Sequence, residues 1–400
     1  MLMAVIVVLI IAFVAVECFS VLNVSLKTQT AYVATVYDTV DTRALFIRDE
    51  KEANSASGIA VATVSDGEKV AAGGNIAMLF SSEENAQRYT NYLELEEERQ
   101  HYIDMINVTV GSVTDIETLE SNIISDVNGF IRSSAHSDMA GAQRHSLAVN
   151  DNLTKRSLLI GNEIDFSAVL QEIDSRINAI DVASCKPSGY VTSDESGFYS
   201  RYTDGCEGAF DYSAINELDI DTFNGYLTKA VSAKGTSQGS GKIISSFNWY
   251  MCCVVSSEDV VGLENGDRVE VIVKSANKTL NCKIVSGANA TLGAMQTLLV
   301  LTCNEMDKDI SSMRLEDIEI RVKSYAGIKV SASAVHDVNG QKGVYALVSN
   351  VAKWRKADIL YTGEDFVILS YDDPDISGGI KLYDEIIISG KDVYNGKVFA

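Results

Sequence analysis

Apolar residues follow three rhythms along this chain. Residues 1–16 (MLMAVIVVLIIAFVAV) carry no polar side chain, and after Glu17 and Ser20 the apolar character continues through Val21-Leu22. Residues 28–56 then alternate loosely (TAYVATVY, TRALFIRDE), which predicts strands. Residues 57–80 (SGIAVATVSDGEKVAAGGNIAMLF) predict short strands around Gly58, an Asp66-Gly67 turn and a Gly73-Gly74 turn. Residues 184–210 repeat that grammar with Pro187-Ser-Gly189, Ser196-Gly197 and Asp204-Gly205.

The rhythm in between is helical. Ser81-Ser82-Glu83-Glu84 offers hydroxyls to cap a helix and acids to meet its positive end. Tyr89, Tyr92, Leu93, Leu95, Tyr102, Ile103 and Ile106 recur at spacings near three and four until Gly111-Ser112. Ile116, Leu119, Ile123, Ile124, Val127 and Ile131 define a second helix, ended by Ser133-Ser134-Ala135-His136-Ser137. A third is expected near 138–160. A fourth, near 163–181, rests on Ile164, Val169, Leu170, Ile173, Ile177 and Ile180. One small β-unit cut in two by an interrupted helical arm, a short hairpin or small bundle, accounts for this order. An arm whose ends meet at one β-unit favours an even number of antiparallel passes.

Residues 216–242 read as a connector, ending in the flexible composition Ser-Ala-Lys-Gly-Thr-Ser-Gln-Gly-Ser-Gly241. Beyond it the chain is nearly all β. Strands are expected near 243–256, 268–275, 279–286, 296–304, 316–323, 327–335, 343–350, 357–361, 366–371 and 384–389. Turns at Asn265-Gly266-Asp267, Asn339-Gly340, Ser377-Gly378-Gly379, Ser389-Gly390 and Asn395-Gly396 punctuate them. Short strands at this cadence suggest barrels or sandwiches.

Composition narrows the function. Lys and Arg number 33 against 55 Asp and Glu, a net charge of −22, which repels phosphate backbones and argues against nucleic acid. With 46% hydrophobic residues real cores are possible, while 4 histidines leave little for imidazole chemistry. The first 16 residues span about 24 Å as a helix, and continuing to Leu22 approaches the ~30 Å hydrocarbon core. The segment 1–24 is therefore expected to be a single-pass anchor, with everything after it on one side of the membrane. A cleaved signal peptide competes, but neither a basic leading region nor an A-x-A site is present, and Glu17 before Cys18 does not suit lipoprotein acylation. The positive-inside rule gives no orientation here.

Seven cysteines occur: Cys18, Cys185, Cys206, Cys252, Cys253, Cys282 and Cys303. None forms C-x-x-C or adjoins a histidine, so zinc is not expected. Cys185 and Cys206 flank the second β half and could pair in an oxidising compartment; buried free thiols are the preferred alternative.

The split unit also has a counterpart. Gly58-Ile-Ala-Val-Ala-Thr-Val-Ser-Asp66-Gly67-Glu68-Lys69-Val70-Ala-Ala-Gly73 resembles the lipoyl-like half-motif of HlyD-type membrane fusion proteins, the adaptor subunits of export systems. Lys186-Pro187-Ser188-Gly189-Tyr190-Val191 resembles the opening of their second half. Gly241-Lys-Ile-Ile-Ser-Ser-Phe-Asn-Trp249-Tyr250 and Leu263-Glu-Asn-Gly266-Asp267-Arg-Val269 are similar to the first strand and following turn of their β-barrel. Gly327-Ile-Lys-Val-Ser-Ala-Ser-Ala334-Val335 is similar to the G-x-x-x-P-x-x-A-V strand opening their membrane-proximal domain, with Ser331 where proline is usual and hence a less rigid turn expected. Gly343-Val-Tyr345-Ala-Leu-Val348, Tyr361-Thr-Gly363 and Leu382-Tyr-Asp384-Glu-Ile386-Ile continue the pattern. The chain departs from the family in its shorter, broken helical arm, which fits a cell with a single membrane.

The resemblance implies an α+β, mostly β fold: an anchor (1–24), a first lipoyl-like half with a membrane-proximal strand (25–80), a helical arm (81–182), a second half (183–215), a connector (216–242), a β-barrel (243–325) and a membrane-proximal β-domain (326–400). It implies a body outside the cytoplasmic membrane, a membrane transporter as partner, with the ABC type one candidate, and self-association. A cell-envelope scaffold without a transport role is the alternative.

No residue constellation points to catalysis. Lys69 lies in a solvated Asp-Gly-Glu-Lys turn, not at a lipoate- or biotin-bearing tip. Glu94, Glu96, Glu97 and Glu98 with Arg99 and His101 spread around a helix as a solvated face. Asp372-Asp373 with Asp375 lacks EF-hand spacing and reads, with Pro374 and Gly378-Gly379, as a β-turn. His336-Asp337 has no G-x-S-x-G partner, and the glycine-rich 235–241 is no P-loop. Trp249, Tyr250 and Trp354 read as strand or core anchors. The expected set is thus no catalytic, cofactor-binding or metal residues and no cofactor.

Overall fold

The computed structural model describes residues 26–53, 57–108, 116–135, 139–160, 164–233, 240–276, 278–288, 294–371, 378–390 and 392–399. The apolar run 1–24, Asp372, Asp373, Asp375 and most of the glycine-rich linker lie outside them. Among the described residues no helix is long and apolar enough to cross a membrane. Contacts divide the chain into two units, Val40–Val322 and the remainder, made of residues up to Thr39 with Lys323 onward.

Within Val40–Val322, the two β halves interleave. Strand Ile59–Ala62 pairs with Asn75–Phe80, which pairs in turn with Gly189–Thr192. A second sheet runs Glu50–Glu52, Lys242–Ile244, Gly197–Ser200, Lys69–Val70. Both sheets therefore take strands from residues more than a hundred positions apart. Val70, Ile76, Ala77, Leu79, Val191, Tyr199 and Ile243 fill one core between them. The Asp66-Gly67 turn closes against the opposite half, where Gly67 N–H donates to Tyr199 O at 2.8 Å.

The junction at Gly241 is equally tight. Its φ of +80° is left-handed, and a Cβ there would lie 2.5 Å from Ser200 O and 2.7 Å from Tyr199 Oη. Gly241→Ala is expected to cost at least about 2 kcal/mol, from backbone strain plus overlap with backbone that cannot swing away. A lowered urea midpoint checks this; an unchanged midpoint would refute the steric argument.

Six strands close the barrel: Trp249–Ser256, Gln296–Cys303, Lys278–Ser286 and Arg268–Val273, with the parts of Val33–Ile47 and Leu315–Ser331 that belong to this unit. The two-residue period explains the adjacent Cys252 and Cys253. Trp249, Met251, Cys253 and Val255 face the interior, whereas Cys252 faces outward onto a second cluster. Trp249 stacks on Phe46 at 5.1 Å and donates its indole N–H to Glu305 O at 2.8 Å.

Four sequence expectations need correction here. Lys242–Ile244, expected to open the barrel's first strand, belongs instead to the split unit, because it pairs with Glu50–Glu52 and Gly197–Ser200, and the barrel strand starts at Trp249. Val40–Ile47, placed with the first lipoyl-like half, belongs to the barrel, because Leu45–Ile47 hydrogen-bond to Tyr250–Cys252. The connector 216–242 contains a helix, Ile220–Ser232, capped by Asp219 accepting from Thr222 N–H at 2.7 Å. Its Phe223 and Ala230 are buried with Cys206, Phe210 and Ile215 on the barrel's outer face. The flexible composition at its end masked an amphipathic stripe. The strands expected at 316–323 and 327–335 are one strand, Leu315–Ser331. Gly327 does not break it; the missing side chain lets Leu369 O approach to where a Cβ would sit 2.4 Å away.

In the other unit, Lys27–Thr30, Glu385–Ser389, Gln341–Val348, His336–Val338 and Val351–Lys356 form one sheet. Ile328–Ser331 pairs with Phe366–Leu369, which pairs with Ile359–Thr362. Ala31, Ile328, Val344, Leu369, Ile380 and Ile386 share its core. The strand Val351–Lys356 went unread because its turn uses Ser349 and Asn350 at φ +49° and +60° rather than glycine. Ser331 takes φ −59°, close to what a proline ring imposes, and its Oγ accepts from Ser333 N–H at 3.4 Å.

Candidate functional site

The helical arm is the loop of a β-hairpin. Its root is set by Leu79 opposite Gly189, with Ser188 N–H donating to Leu79 O at 2.7 Å. Helix α1 (Glu83–Val108) starts where Ser82 Oγ accepts from Asn85 N–H at 3.4 Å, with Glu83 and Glu84 in its first turn. Ala86 and Cys185 are buried with Val61 and Phe80, so the arm seals the end of the split unit.

Three more helices follow: α2 (Ile116–Ala135), α3 (Met139–Leu159) and α4 (Ser167–Ala179). Their extents match the apolar periodicity. Helices α1 and α4 are antiparallel, as Arg88–Ser184 (3.3 Å) and Arg99–Asp174 (2.7 Å) require. Helices α2 and α3 are antiparallel through Arg156–Glu120 (2.9 Å) and Asn152–Asp126 (3.1 Å). Met105, Leu158 and Phe166 join the pairs, and His101 meets Asp151 at 3.3 Å. The arm is thus a small bundle of paired passes.

Much of the predicted stripe on α2 is left uncovered. Ile124 (64%), Val127 (40%) and Ile131 (59%) follow one another at i, i+3, i+7 and are exposed, as are Leu147 (59%) and Leu153 (47%) on α3. Leu119 alone of the α2 stripe is deeply buried among the described side chains. Apolar side chains aligned on an exposed helix face are available for contact with a partner.

The residues with candidate chemistry are surface groups or lone buried thiols. Glu94, Glu97 and Glu98 are exposed, and Glu94 and Glu98 line a shallow cleft of ≈ 490 Å³ with Asn91, Leu95 and Arg176. Lys69 is exposed, 5.9 Å from the Phe198 ring. His336 rests on Tyr345 at 5.2 Å, and Asp337 accepts from Gly340 N–H in a turn. Cys185 and Cys206 are free, buried thiols in separate clusters.

Sequence reasoning missed one feature, a buried ionic node. Glu50 bonds Arg48 and Arg314, and Lys242 Nζ lies 3.2 Å from Glu50 and 3.4 Å from Glu207. Arg314 also holds Asp204 at 2.6 Å and donates to Phe46 O at 3.0 Å. Arg48 Nη1 donates to Ile310 O at 2.5 Å, capping the short helix Lys308–Ser312. Burial alone would raise the Glu50 carboxyl, but Arg48, Arg314 and Lys242 pull it down to about 2. Among the described residues, Glu50, Asp204 and Glu207 are the one carboxylate group close enough to hold a metal ion. Three cations already neutralise these three acids, so the node is a bolt between the split β unit and the barrel. Its sequence signal was faint: single charges set in apolar strands, such as Lys242 before Ile243-Ile244.

Residues 50–247 match the family model described as RND related, barrel-sandwich hybrid domain. No curated protein matches the chain. Among solved structures it is similar to MacA from Actinobacillus actinomycetemcomitans (12% identity, 91% of this chain and 99% of that one, TM-score 0.30). It is also similar to a putative efflux transporter from Bacteroides eggerthii (12%, 89% and 91%, TM-score 0.29). A third is the membrane fusion protein Spr0693 from Streptococcus pneumoniae (14%, 74% and 100%, TM-score 0.21). The interleaved halves, the arm at their hairpin end and the family match over the same residues agree: residues 50–247 carry the RND-related barrel-sandwich hybrid domain.

Proposed function

We propose that this protein is a membrane-anchored adaptor of an export system, which couples a transporter to its route by protein–protein contacts and performs no chemistry of its own. The observation that carries this reading is an arm rooted in a barrel-sandwich hybrid unit, whose apolar stripe Ile124, Val127, Ile131 the chain leaves uncovered. In this reading residues 1–24 hold the body to the outer side of the cytoplasmic membrane. Confinement to the bilayer plane raises its effective concentration for a membrane partner. The helical arm (81–182), the split hybrid unit at its root, the six-stranded barrel and the β-domain of residues 326–400, read as membrane-proximal, supply the parts such an adaptor needs. The partners are a membrane transporter, with the ABC type the first to test, and further copies of the chain.

The test is recovery of a membrane transporter with the full chain from mild detergent, compared with the double variant Ile124→Lys, Ile131→Lys. Both positions are exposed, so the fold should change by less than about 0.5 kcal/mol. Partner recovery should fall at least tenfold. Equal recovery by the variant would remove the stripe from the proposal. Failure of either protein to recover any transporter would favour the envelope scaffold.

A further inference from the structure

We propose that Cys282 and Cys303 form a modification site: a cross-strand dithiol that closes to a disulfide by exchange with an external disulfide of low molecular weight or of a thiol–disulfide oxidoreductase. Strands Lys278–Ser286 and Gln296–Cys303 are antiparallel, with Lys283 opposite Thr302 and Ile284 opposite Leu301. One step along the same register sets Cys282 opposite Cys303. Both side chains point into the barrel, 1% and 3% exposed, and belong to the same core cluster. Residues directly opposite in an antiparallel pair have Cα atoms about 4.5–5.5 Å apart, inside the window of about 4.4–6.8 Å that a disulfide spans.

The other described thiols are placed differently. Cys253 faces the same interior but lies opposite Leu299, while Cys185, Cys206 and Cys252 sit in other clusters. The pair is also chemically biased toward reaction. A side-chain hydrogen bond from Cys282 lowers the Cys303 thiol against the effect of burial, so Cys303 supplies the attacking thiolate. Cys303 is the last residue of its strand, and fraying of that end opens a path to it.

The exchange balances. Cys303 sulfur attacks the reagent's S–S bond, giving a mixed disulfide and one reagent thiol. Cys282 sulfur then displaces the second reagent thiol. Two S–H bonds and one S–S bond break, one S–S and two S–H bonds form, and two electrons pass from the protein to the reagent. Trp249 reports the event without a label: it is fully buried directly opposite Cys303 on the neighbouring strand, where a disulfide quenches indole emission.

The experiment uses the full chain in mild detergent, incubated with oxidised glutathione and then unfolded in N-ethylmaleimide before digestion and mass spectrometry. Alkylated thiols should fall from seven to five. The linked peptides should join Cys282 to Cys303, and Trp249 emission, read in a Trp354→Phe background, should drop and recover with dithiothreitol. Cys282→Ala and Cys303→Ala should each remove the link, and Cys185→Ala should not. N-ethylmaleimide on both Cys282 and Cys303 after oxidation, a bridge from Cys303 to Cys253, or a persistent glutathione adduct would each overturn the assignment. The mapping on the unmodified chain decides the matter even where a core variant folds poorly.

Discussion

Glu50→Ala should destabilise the protein by about 3–5 kcal/mol, since it removes one carboxylate from a buried node and leaves Arg48, Arg314 and Lys242 with unbalanced charge. Glu50 is 2% exposed, so water cannot take its place cheaply. The same node fixes an acid dependence. The Glu50 carboxyl titrates at about 2 in the folded chain against 4.5 for the ordinary group. A carboxyl depressed on folding contributes stability above its unfolded value and loses it as pH falls through the folded one. The contribution of Glu50 is therefore complete above roughly pH 5 and disappears between about 4.5 and 2. A shift of this size corresponds to about 3 kcal/mol. Urea midpoints at pH 6, 4 and 2.5 should fall steeply for the unmodified chain and less steeply for Glu50→Ala over the same window. Parallel profiles would show that the node is not the acid-sensitive element.

How much of this was legible depended on which force shaped each element. The four helices of the arm were readable to within a few residues, because long periodic segments between polar breaks express local propensity and face patterning together. The split β unit was readable because its turns demand glycine, and Gly67 and Gly73 stand at left-handed φ. The missed elements are those decided by distant partners. Helix Ile220–Ser232 forms against Cys206 and Phe210, and Gly327 lies within a strand because Leu369 presses on it. The node draws Glu50, Asp204, Lys242 and Arg314 from segments up to 264 residues apart, a grouping that no local pattern encodes. The apolar stripe of α2 was visible in the sequence; its exposure became visible only once α3 was seen to leave Ile124 and Ile131 bare.

Replacing residues 81–187 by Asn-Gly should leave the hybrid unit and the barrel folded while abolishing partner recovery. Strands Asn75–Phe80 and Gly189–Thr192 already pair as adjacent antiparallel neighbours, so a two-residue type I′ turn can close them. The core of the split unit, Val70, Ile76, Leu79, Val191, Tyr199 and Ile243, uses no arm residue, and neither does the ionic node. The cost arises at Phe80, whose ring loses Ala86, Cys185 and Tyr89, a burial worth about 1.5–3 kcal/mol. Adding Phe80→Thr removes that exposed ring. Circular dichroism should lose the signal of α1–α4, while Trp249 emission, set inside the barrel and read in a Trp354→Phe background, stays as in the full chain. A shifted Trp249 emission or loss of cooperative unfolding would show that the arm is part of the barrel's folding unit. A folded protein that still recovers its transporter would show that the contact surface lies on the β units instead, because the arm's apolar stripe would then have been removed without effect.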